Sequence, residues 1–560
     1  MEKSFKKLYL FLKKADIVFC FRSRKFTSHF GLLQMKFSFF HKGQNTLVKG
    51  KKKEYNVFLQ VDGSTCCRSF LISFLMPDFN LQHLPILGES SMNSESLRAM
   101  FVPGAKVHLV GIGGVSMAPL GEVLLGIGMQ VTGSDAKESA TVQHLRGLGI
   151  PVVIGHYPDS VADTEIVIRT SAVHDSNPEI MAARDKGIPV VERAQAWGAL
   201  MTDYRNALCI SGTHGKTTTT SMCTHIAMAA QIDPTVMIGG TLPLLHAGHR
   251  VGKGDTIILE SCEYCNSFLS FHPTIAVILD VDADHLDFFR DLEDVEHSFR
   301  QFAELVPDTT GVVVANADDE NTMITLAGLD RHIVTYGIEH KSDVSGRNIT
   351  FTNGLPSFDI YYHESFFAHV DLLIPGLHNV RNALAAAASS ILLGISSDAV
   401  VKGLGAFHGA GRRFEPKGSY HGADIYDDYA HHPGEIKALL DAVDNLNYHR
   451  VIMAFQPHTF SRTKALFSDF AEQLKRPDIT LLAEIYAARE QNTIGIHSGD
   501  LAAEIPGATA YDTLDDLTDR LKELAQPGDL ILTVGAGDIY TCGERLASIE
   551  KNTSEFQKNP

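Results

Sequence analysis

The sequence predicts an α/β protein of three domains: a Rossmann-like N-terminal domain, a central P-loop-type ATPase domain and a C-terminal Rossmann-like α/β domain. Three observations predict it. An apolar run from Lys106 enters the Gly-rich turn Gly111-Ile-Gly-Gly114, and a second apolar run at 207–210 enters a Gly-Lys-Thr loop followed by a helix-forming stretch. After Gly409, four further apolar runs each end in polar or glycine residues. At 560 residues the chain exceeds what a single core supports, so several domains are required.

Residues 1–91 stand apart. Lys6-Lys7, Lys13-Lys14 and Lys51-Lys52-Lys53 make them basic in a chain whose net charge is −17. Lys13, Lys14 and Asp16 interrupt any signal-peptide core, and no helical or strand period persists. A disordered basic extension is expected here.

The first domain is expected over 92–203. Its opening strand, the Gly turn, a helix and a second strand ending at Asp135 form a βαβ unit of dinucleotide-binding type. Ser116 replaces the third glycine of G-x-G-x-x-G, so the turn points to a nucleotide diphosphate at a helix N-terminus more than to NAD. Further βα units begin at Val152, Ile166 and Pro189, the second running on to Ser171.

The central domain is expected over 204–410, and its loop Gly212-Thr-His-Gly-Lys-Thr-Thr218 is the focus of the chain. Backbone N–H groups between a strand and a positive helix end cradle phosphates, so Gly212, Thr213, His214, Gly215, Lys216, Thr217 and Thr218 are the candidate ATP contacts. Lys216 can reach the terminal phosphates and Thr217 can ligate Mg²⁺. The general pattern wants glycine at 210, where Ile210 stands, so this loop is tighter. Two later strands end at Glu260 and in Asp280-Val-Asp-Ala-Asp-His285, bringing a carboxylate and an imidazole toward the loop, a combination suited to divalent metal. The acids Asp280, Asp282 and Asp284 could instead be a solvated loop. Asn379 and Asn382, three apart in a helix's first turns, can read a purine edge; alternatively Asn379 is only a cap.

The third domain is expected over 411–548, with strand ends at Asp427-Asp428, Gln456-Pro-His458, Glu484 and Gly535-Ala-Gly-Asp538. Residues 549–560 read as a polar tail.

The composition excludes some classes. With 44% hydrophobic and 21% charged residues the chain is an ordinary globular protein, and its acidity argues against nucleic acid as a partner. Eight scattered cysteines form no disulfide framework, which points to the cytoplasm; Cys262-Glu-Tyr-Cys265 lacks a second pair at zinc spacing. The apolar run 70–76 is far too short to span a membrane.

From about 104 to 548 the chain resembles the Mur ligases of peptidoglycan synthesis. The resemblance rests on Gly111-Ile-Gly-Gly114 with Met117, the Gly212–Thr218 loop, Glu260, Asp284-His285, His378-Asn379-x-x-Asn382, Gly411-Arg-Arg-Phe414, Asp427-Asp-Tyr-Ala-His-His-Pro433 and Gln456-Pro-His458. The first-domain turn, the D-D-Y-x-H-H-P stretch and Q-P-H favour the alanine-adding member. The resemblance implies a UDP-sugar site in the first domain (Gly111, Gly113, Gly114, Asp135, Ser171), ATP in the second and an amino acid in the third. It implies that ATP phosphorylates the lactyl carboxylate of UDP-N-acetylmuramate and that L-alanine displaces phosphate. It also implies Thr217, Glu260 and His285 as Mg²⁺ ligands, Asn379 and Asn382 near adenine, Arg413 reaching the phosphates, Asp428 as an acid of the third domain, and His458 with Arg462 at the amino acid. Thr459 stands where the family often has arginine, and Ser261-Cys-Glu-Tyr-Cys265 replaces a common A-D-E-S-D stretch while retaining Glu260 and Glu263.

Other readings are a Mur-type ligase for another amino acid, a nicotinamide oxidoreductase using Gly111–Gly114, and a catalytically silent nucleotide-binding scaffold. The second nucleotide loop and Arg413 weigh against the oxidoreductase.

Overall fold

The computed structural model describes residues 93–558 apart from 287 and 489, together with three strands earlier in the chain. Those strands, β1 (Leu32–Ser38), β2 (Glu54–Gln60) and β3 (Ile72–Ser73), pair antiparallel in that order. The remainder of 1–91, where the sequence predicts a disordered extension, lies outside the described residues.

The chain from Met92 is one compact unit built on three sheets. The first sheet is wholly parallel, in order β6-β5-β4-β7-β8, from β4 (Lys106–Val110), β5 (Gln130–Asp135), β6 (Val152–Ile154), β7 (Ile166–Arg169) and β8 (Val190–Glu192). The largely apolar character of β4, interrupted by buried His108, follows from its place between β5 and β7, where Val107, Leu109 and Val110 are buried. Because the chain runs outward from β4 on both sides, the Gly turn after β4 lies at the topological switch point, where open α/β sheets bind ligands. Gly111 takes φ 81°, and a Cβ there would stand 2.7 Å from Thr170 Cγ2, so only glycine fits.

The central sheet has ten strands in order β11-β10-β12-β9-β13-β14-β15-β16-β17-β18. Its parallel heart is β9 (Asn206–Ser211), β10 (Thr235–Leu242), β12 (Thr256–Glu260), β13 (Ile275–Ile278), β14 (Val312–Asn316) and β15 (His332–Gly337); β11 (Ala247–Arg250) pairs antiparallel with β10 at one edge. β9 lies between β12 and β13, a second switch point, and the Gly212–Thr218 loop leaves its carboxyl end. The helix Lys216–Ala229 follows and packs on the Ala-rich helix Leu377–Leu392 and on the helix Ser397–Gly405.

Sequence reading missed the antiparallel meander of β16 (Val344–Thr352), β17 (Leu355–Tyr362) and β18 (Ser365–Asp371). Its first turn is Asn353-Gly354, both at positive φ, as a two-residue hairpin turn demands. Its second is His363-Glu364, which takes the same left-handed conformation without glycine.

The third sheet runs β19-β20-β24-β21-β22-β23, from β19 (Glu415–Tyr420), β20 (Ala423–Asp428), β21 (Arg450–Phe455), β22 (Ile479–Ala483), β23 (Thr509–Tyr511) and β24 (Asp529–Val534); only β19 is antiparallel. The helix Tyr540–Lys558 continues through the stretch from 549 that the sequence reads as a tail. Nothing there breaks it, since 549–558 contains neither glycine nor proline. Among the described residues no helix is long and apolar enough to cross a membrane.

Candidate active site

The loop after β9 is shaped by its two glycines and by the end of β13. Gly212 (φ 142°) has no room for a Cβ, which would stand 2.8 Å from Leu279 Cβ, and Gly215 (φ 79°) caps the helix. Asp280 fixes the loop's middle: its carboxylate accepts the His214 amide at 2.8 Å and binds His214 Nδ1 at 2.5 Å. Burial lowers the basicity of His214, but Asp280 first, then Glu435 and Asp282, reverse this and raise its pKa to about 9.

Lys216 does not project freely. Its ammonium donates to the carbonyl oxygens of Gly212 and Thr213, at 2.5 and 3.0 Å, and to both oxygens of buried Glu263, at 3.2 and 3.0 Å. Burial works against the charge, and Glu263 more than restores it, so Lys216 stays firmly protonated. Glu263 Oε1 also lies 3.8 Å from His285 Nε2. Glu260 ends β12 and accepts the Gly239 amide at 2.7 Å. A Cβ on Gly239 would stand 2.3 Å from Glu260 Oε1, and one on Gly240 would touch Thr217 Cγ2 at 3.4 Å. The two glycines of β10 therefore leave room for Glu260 and for Thr217 respectively. Thr217, Glu260 and Glu263 offer oxygen donors of the kind that a hard divalent cation such as Mg²⁺ takes, and the His285 imidazole lies near Glu263.

A cleft of about 320 Å³ opens beside the loop. His214, Gly215, Thr218, Asn379 and Asn382 line it from the central domain, and Arg413, Asp428 and Glu435 from the third. The two asparagines form a chain: Asn379 Nδ2 donates to Pro375 O at 2.7 Å, Asn382 Nδ2 to Asn379 Oδ1 at 3.1 Å, and Thr219 Oγ1 to Asn382 Oδ1 at 3.3 Å. Asn379 is not the cap, because the helix starts at Leu377 after Gly376. Arg413 lies 3.9 Å from Glu435 Oε1 and over the Tyr429 ring. Asp428 accepts the Phe414 and Ala430 amides, both at 2.8 Å, so it holds the 412–414 turn in which Arg412 and Phe414 take positive φ. Burial outweighs Arg413 and these amides and pushes the Asp428 pKa up to about 6.

A second cleft, of about 440 Å³, lies between Asp284-His285 of the central domain and His431, His458, Thr459 and Arg462 of the third. Arg462 donates to Asp284 Oδ1 at 2.7 Å with both side chains nearly buried. Asp284 is thus no solvated acid; against burial, His285, Arg462 and His431 hold its carboxyl far below the usual range. Thr459 caps the helix Phe460–Ala465, its hydroxyl accepting the Arg462 amide at 3.4 Å.

In the first domain, Asp135 accepts the Gly113 amide at 2.8 Å and Lys137 N at 3.2 Å, so it braces the Gly turn. Ser171 is exposed beyond the end of β7. No hydrogen bond among the described residues joins these groups to Lys216. Sequence reading missed Arg193, which donates to Ser116 Oγ beside the Gly turn. Gly198 on the same helix packs so tightly that a Cβ would stand 1.9 Å from Ser270 O. Nothing in the spacing around Arg193 marks it; its partner lies 77 residues away in the chain.

Comparison with known proteins gives a consistent picture. The Mur ligase family catalytic domain matches residues 106–205, the Mur ligase middle domain 210–390, and the Mur ligase glutamate ligase domain 412–537. The chain is 45% identical over 453 residues to UDP-N-acetylmuramate–L-alanine ligase of Caldanaerobacter subterraneus subsp. tengcongensis, spanning 80% of this chain and 98% of that one. It is 44% identical to the enzyme of the same name from Clostridium novyi, over 78% of this chain and 96% of that one. Among solved structures, the UDP-N-acetylmuramate–alanine ligase of Thermotoga maritima aligns with a TM-score of 0.67 and 28% identity, over 80% of this chain and 99% of that one. A murein peptide ligase from Psychrobacter arcticus shares the fold, with a TM-score of 0.60 and 24% identity, over 80% of this chain and 98% of that one.

Proposed function

The chain belongs to the Mur ligase family, and from that premise we propose that it joins L-alanine to the carboxylate of UDP-N-acetylmuramate at the expense of ATP, in the cytoplasm. The observation that carries the reading is the cleft in which the phosphate loop, Asn379 and Asn382 face Arg413 of the third domain. It sits beside a second cleft edged by His285 and Arg462.

In this reading ATP lies in the first cleft, adenine toward Asn379 and Asn382 and triphosphate on the amides of 212–218. The UDP-sugar is held on the Gly111–Gly114 turn with Asp135 and Ser171, and its carboxylate reaches the second cleft. A carboxylate oxygen attacks the γ-phosphorus, the bond to the β–γ bridging oxygen breaks, and ADP leaves. The approach of two anions is the main barrier, so cationic groups at the transferring phosphoryl dominate. Lys216 supplies one from below, and Arg413 another from the third domain. Thr217, Glu260, Glu263 and His285 would hold Mg²⁺, which supplies further positive charge to the phosphates when bound. The amine of L-alanine then attacks the acyl phosphate carbonyl, phosphate departs with the C–O bonding pair, and the amine gives up its protons to solvent. Arg462 and His458 edge the space for the alanine carboxylate, and Asp428 keeps Arg413 in place through the Phe414 amide.

The test is ADP release measured with each substrate omitted in turn. ADP formation requiring both UDP-N-acetylmuramate and L-alanine supports the reading; ADP formation indifferent to them overturns it.

A further inference from the structure

Several parts of the site meet on one stretch of β10, Ile238-Gly-Gly-Thr241. The antiparallel pairing of β10 with β11 is in register at Met237–His249 and again at Leu242–Ala247, so these four residues bulge opposite Gly248 alone. On one side of the bulge, Gly239 N donates to Glu260 Oε2 at 2.7 Å. A Cβ on Gly240 would stand 3.4 Å from Thr217 Cγ2 and 3.7 Å from Gly411 O. The Thr241 carbonyl accepts the Gly411 amide at 2.8 Å, immediately before Arg412-Arg413. On the other side Gly248 presses close: a Cβ there would stand 2.9 Å from Gly240 O and 3.2 Å from Ile238 O. Glycine at these crossings lets three backbones approach.

The residue after Gly248 ties this bulge to the first domain. His249 Nε2 lies 2.9 Å from Glu122 Oε1. Glu122 sits in the helix Met117–Ile127, which follows the Gly111–Gly114 turn directly. One turn further along that helix, a Cβ on Gly126 would stand 4.0 Å from Val251 Cγ1, so the helix runs beside β11. The Glu122 and His249 side chains are 17% and 15% exposed, which limits solvent screening of their contact. His144, within the first domain, meets the same Glu122 oxygen at 3.0 Å but is 55% exposed. Burial raises the Glu122 pKa, yet His249 and then His144 outweigh it and hold the carboxyl below its ordinary range. An ionised carboxylate only accepts, so His249 presents an N–H to it.

We propose that Glu122 and His249 are positioning residues: their contact fixes the Gly111–Gly114 turn of the first domain relative to the β10 bulge that meets Glu260, Thr217 and the arginine turn. The inference rests on the ligase reading above and adds two residues that line neither cleft. In that reading one domain carries the carboxylate and another the nucleotide. Bond formation needs both in line, and a misplacement of about 1 Å costs on the order of 100-fold in rate. Without the contact, each substrate still binds on its own domain, but the two reacting groups are out of line.

The experiment compares wild type with Glu122→Ala, His249→Phe, His249→Gln, the double variant Glu122→Ala/His249→Phe, and His144→Phe. ADP release gives kcat, calorimetry gives separate Kd values for UDP-N-acetylmuramate and Mg²⁺–ATP, and thermal melting verifies folding. His249→Phe should lower kcat about 30-fold, with both Kd values changed by less than about threefold. His249→Gln, whose amide can still donate to Glu122, should recover about tenfold of that loss. The double variant should be no slower than the slower single variant, because both changes remove one contact. His144→Phe should stay within about twofold of wild type, since its contact is exposed and internal to the first domain. If His249→Phe fails to fold, Glu122→Ala carries the same kcat test. Wild-type kcat in either folded variant overturns the proposal, as do additive losses in the double variant or an equal loss in His144→Phe. A rise of about tenfold in either Kd also overturns it, because the residues would then act in binding rather than in alignment. A wild type that forms no substrate-dependent ADP removes the ligase reading itself, a distinct failure that takes this inference with it.

Discussion

Lys216 and Glu263 form a buried ion pair, Nζ to Oε2 at 3.0 Å, beneath the phosphate loop. The pair keeps the ammonium charged and aimed at the loop, and its partner carboxylate is the one that approaches His285. Lys216→Ala should lower ADP formation on the order of 1,000-fold or more while leaving UDP-sugar binding nearly intact. Steady-state assays with a UDP-sugar titration by calorimetry check this; unchanged turnover would remove Lys216 from the mechanism.

Glu263→Gln breaks the same pair from the other side. Removing one partner of a buried ion pair strands the other, at a cost of about 3 kcal/mol or more. The variant should therefore melt earlier and require more Mg²⁺ for half-maximal rate. A melting curve and Mg²⁺ dependence equal to wild type would count against a metal role for Glu263.

Gly239→Ala tests the seat of Glu260. The added Cβ would stand 2.3 Å from Glu260 Oε1, forcing the carboxylate out of its present position. Activity at low Mg²⁺ should fall about 100-fold, with partial recovery as Mg²⁺ is raised. Equal rates at every Mg²⁺ concentration would contradict the arrangement.

The first domain contains a buried acid with a pH signature. Glu179 has no exposed surface; burial raises its pKa, but His108, Ser134 and His156 outweigh this and bring it from 4.5 to about 2. Its Oε2 accepts Ser134 Oγ at 2.6 Å and faces His156 Nδ1 at 2.9 Å. The Ser134 carbonyl in turn accepts the Gly111 and Ile112 amides, so the network underlies the Gly111–Gly114 turn. A depressed folded pKa means stabilisation that is complete above pH 4.5 and is lost as pH falls toward 2. Melting temperatures across that window should fall more steeply for wild type than for Glu179→Gln. Parallel curves would show that Glu179 carries no such linkage.

Much of this arrangement was legible from the residues. The tight loop at 212–218 and the strand-end acids declared themselves because strand periodicity and glycine placement locate them before any tertiary contact is known, whereas Arg413 followed from the family resemblance alone. Other features were not, and each for a physical reason. The hairpin turn at Asn353-Gly354 has a local signal, but the strands on either side of it lack a clean alternation. Arg193 and the Glu179 network carry no local signal, since their partners are far away in sequence. The contact of Glu122 with His249 depends on two domains meeting, which no single motif encodes. Asp428 stood out in the sequence, yet its oxygens are taken by backbone amides, so it acts on Arg413 through the turn.

The central claim is that the two clefts form one site that transfers a phosphoryl group to a carboxylate and then accepts alanine. The most direct measurement is stoichiometric product analysis with ATP, UDP-N-acetylmuramate and a panel of single amino acids. The account predicts one ADP, one phosphate and one UDP-N-acetylmuramoyl-L-alanine per turnover, with L-alanine strongly favoured over larger side chains. ADP formed without amide, or amide formed equally well with bulky amino acids, would contradict it.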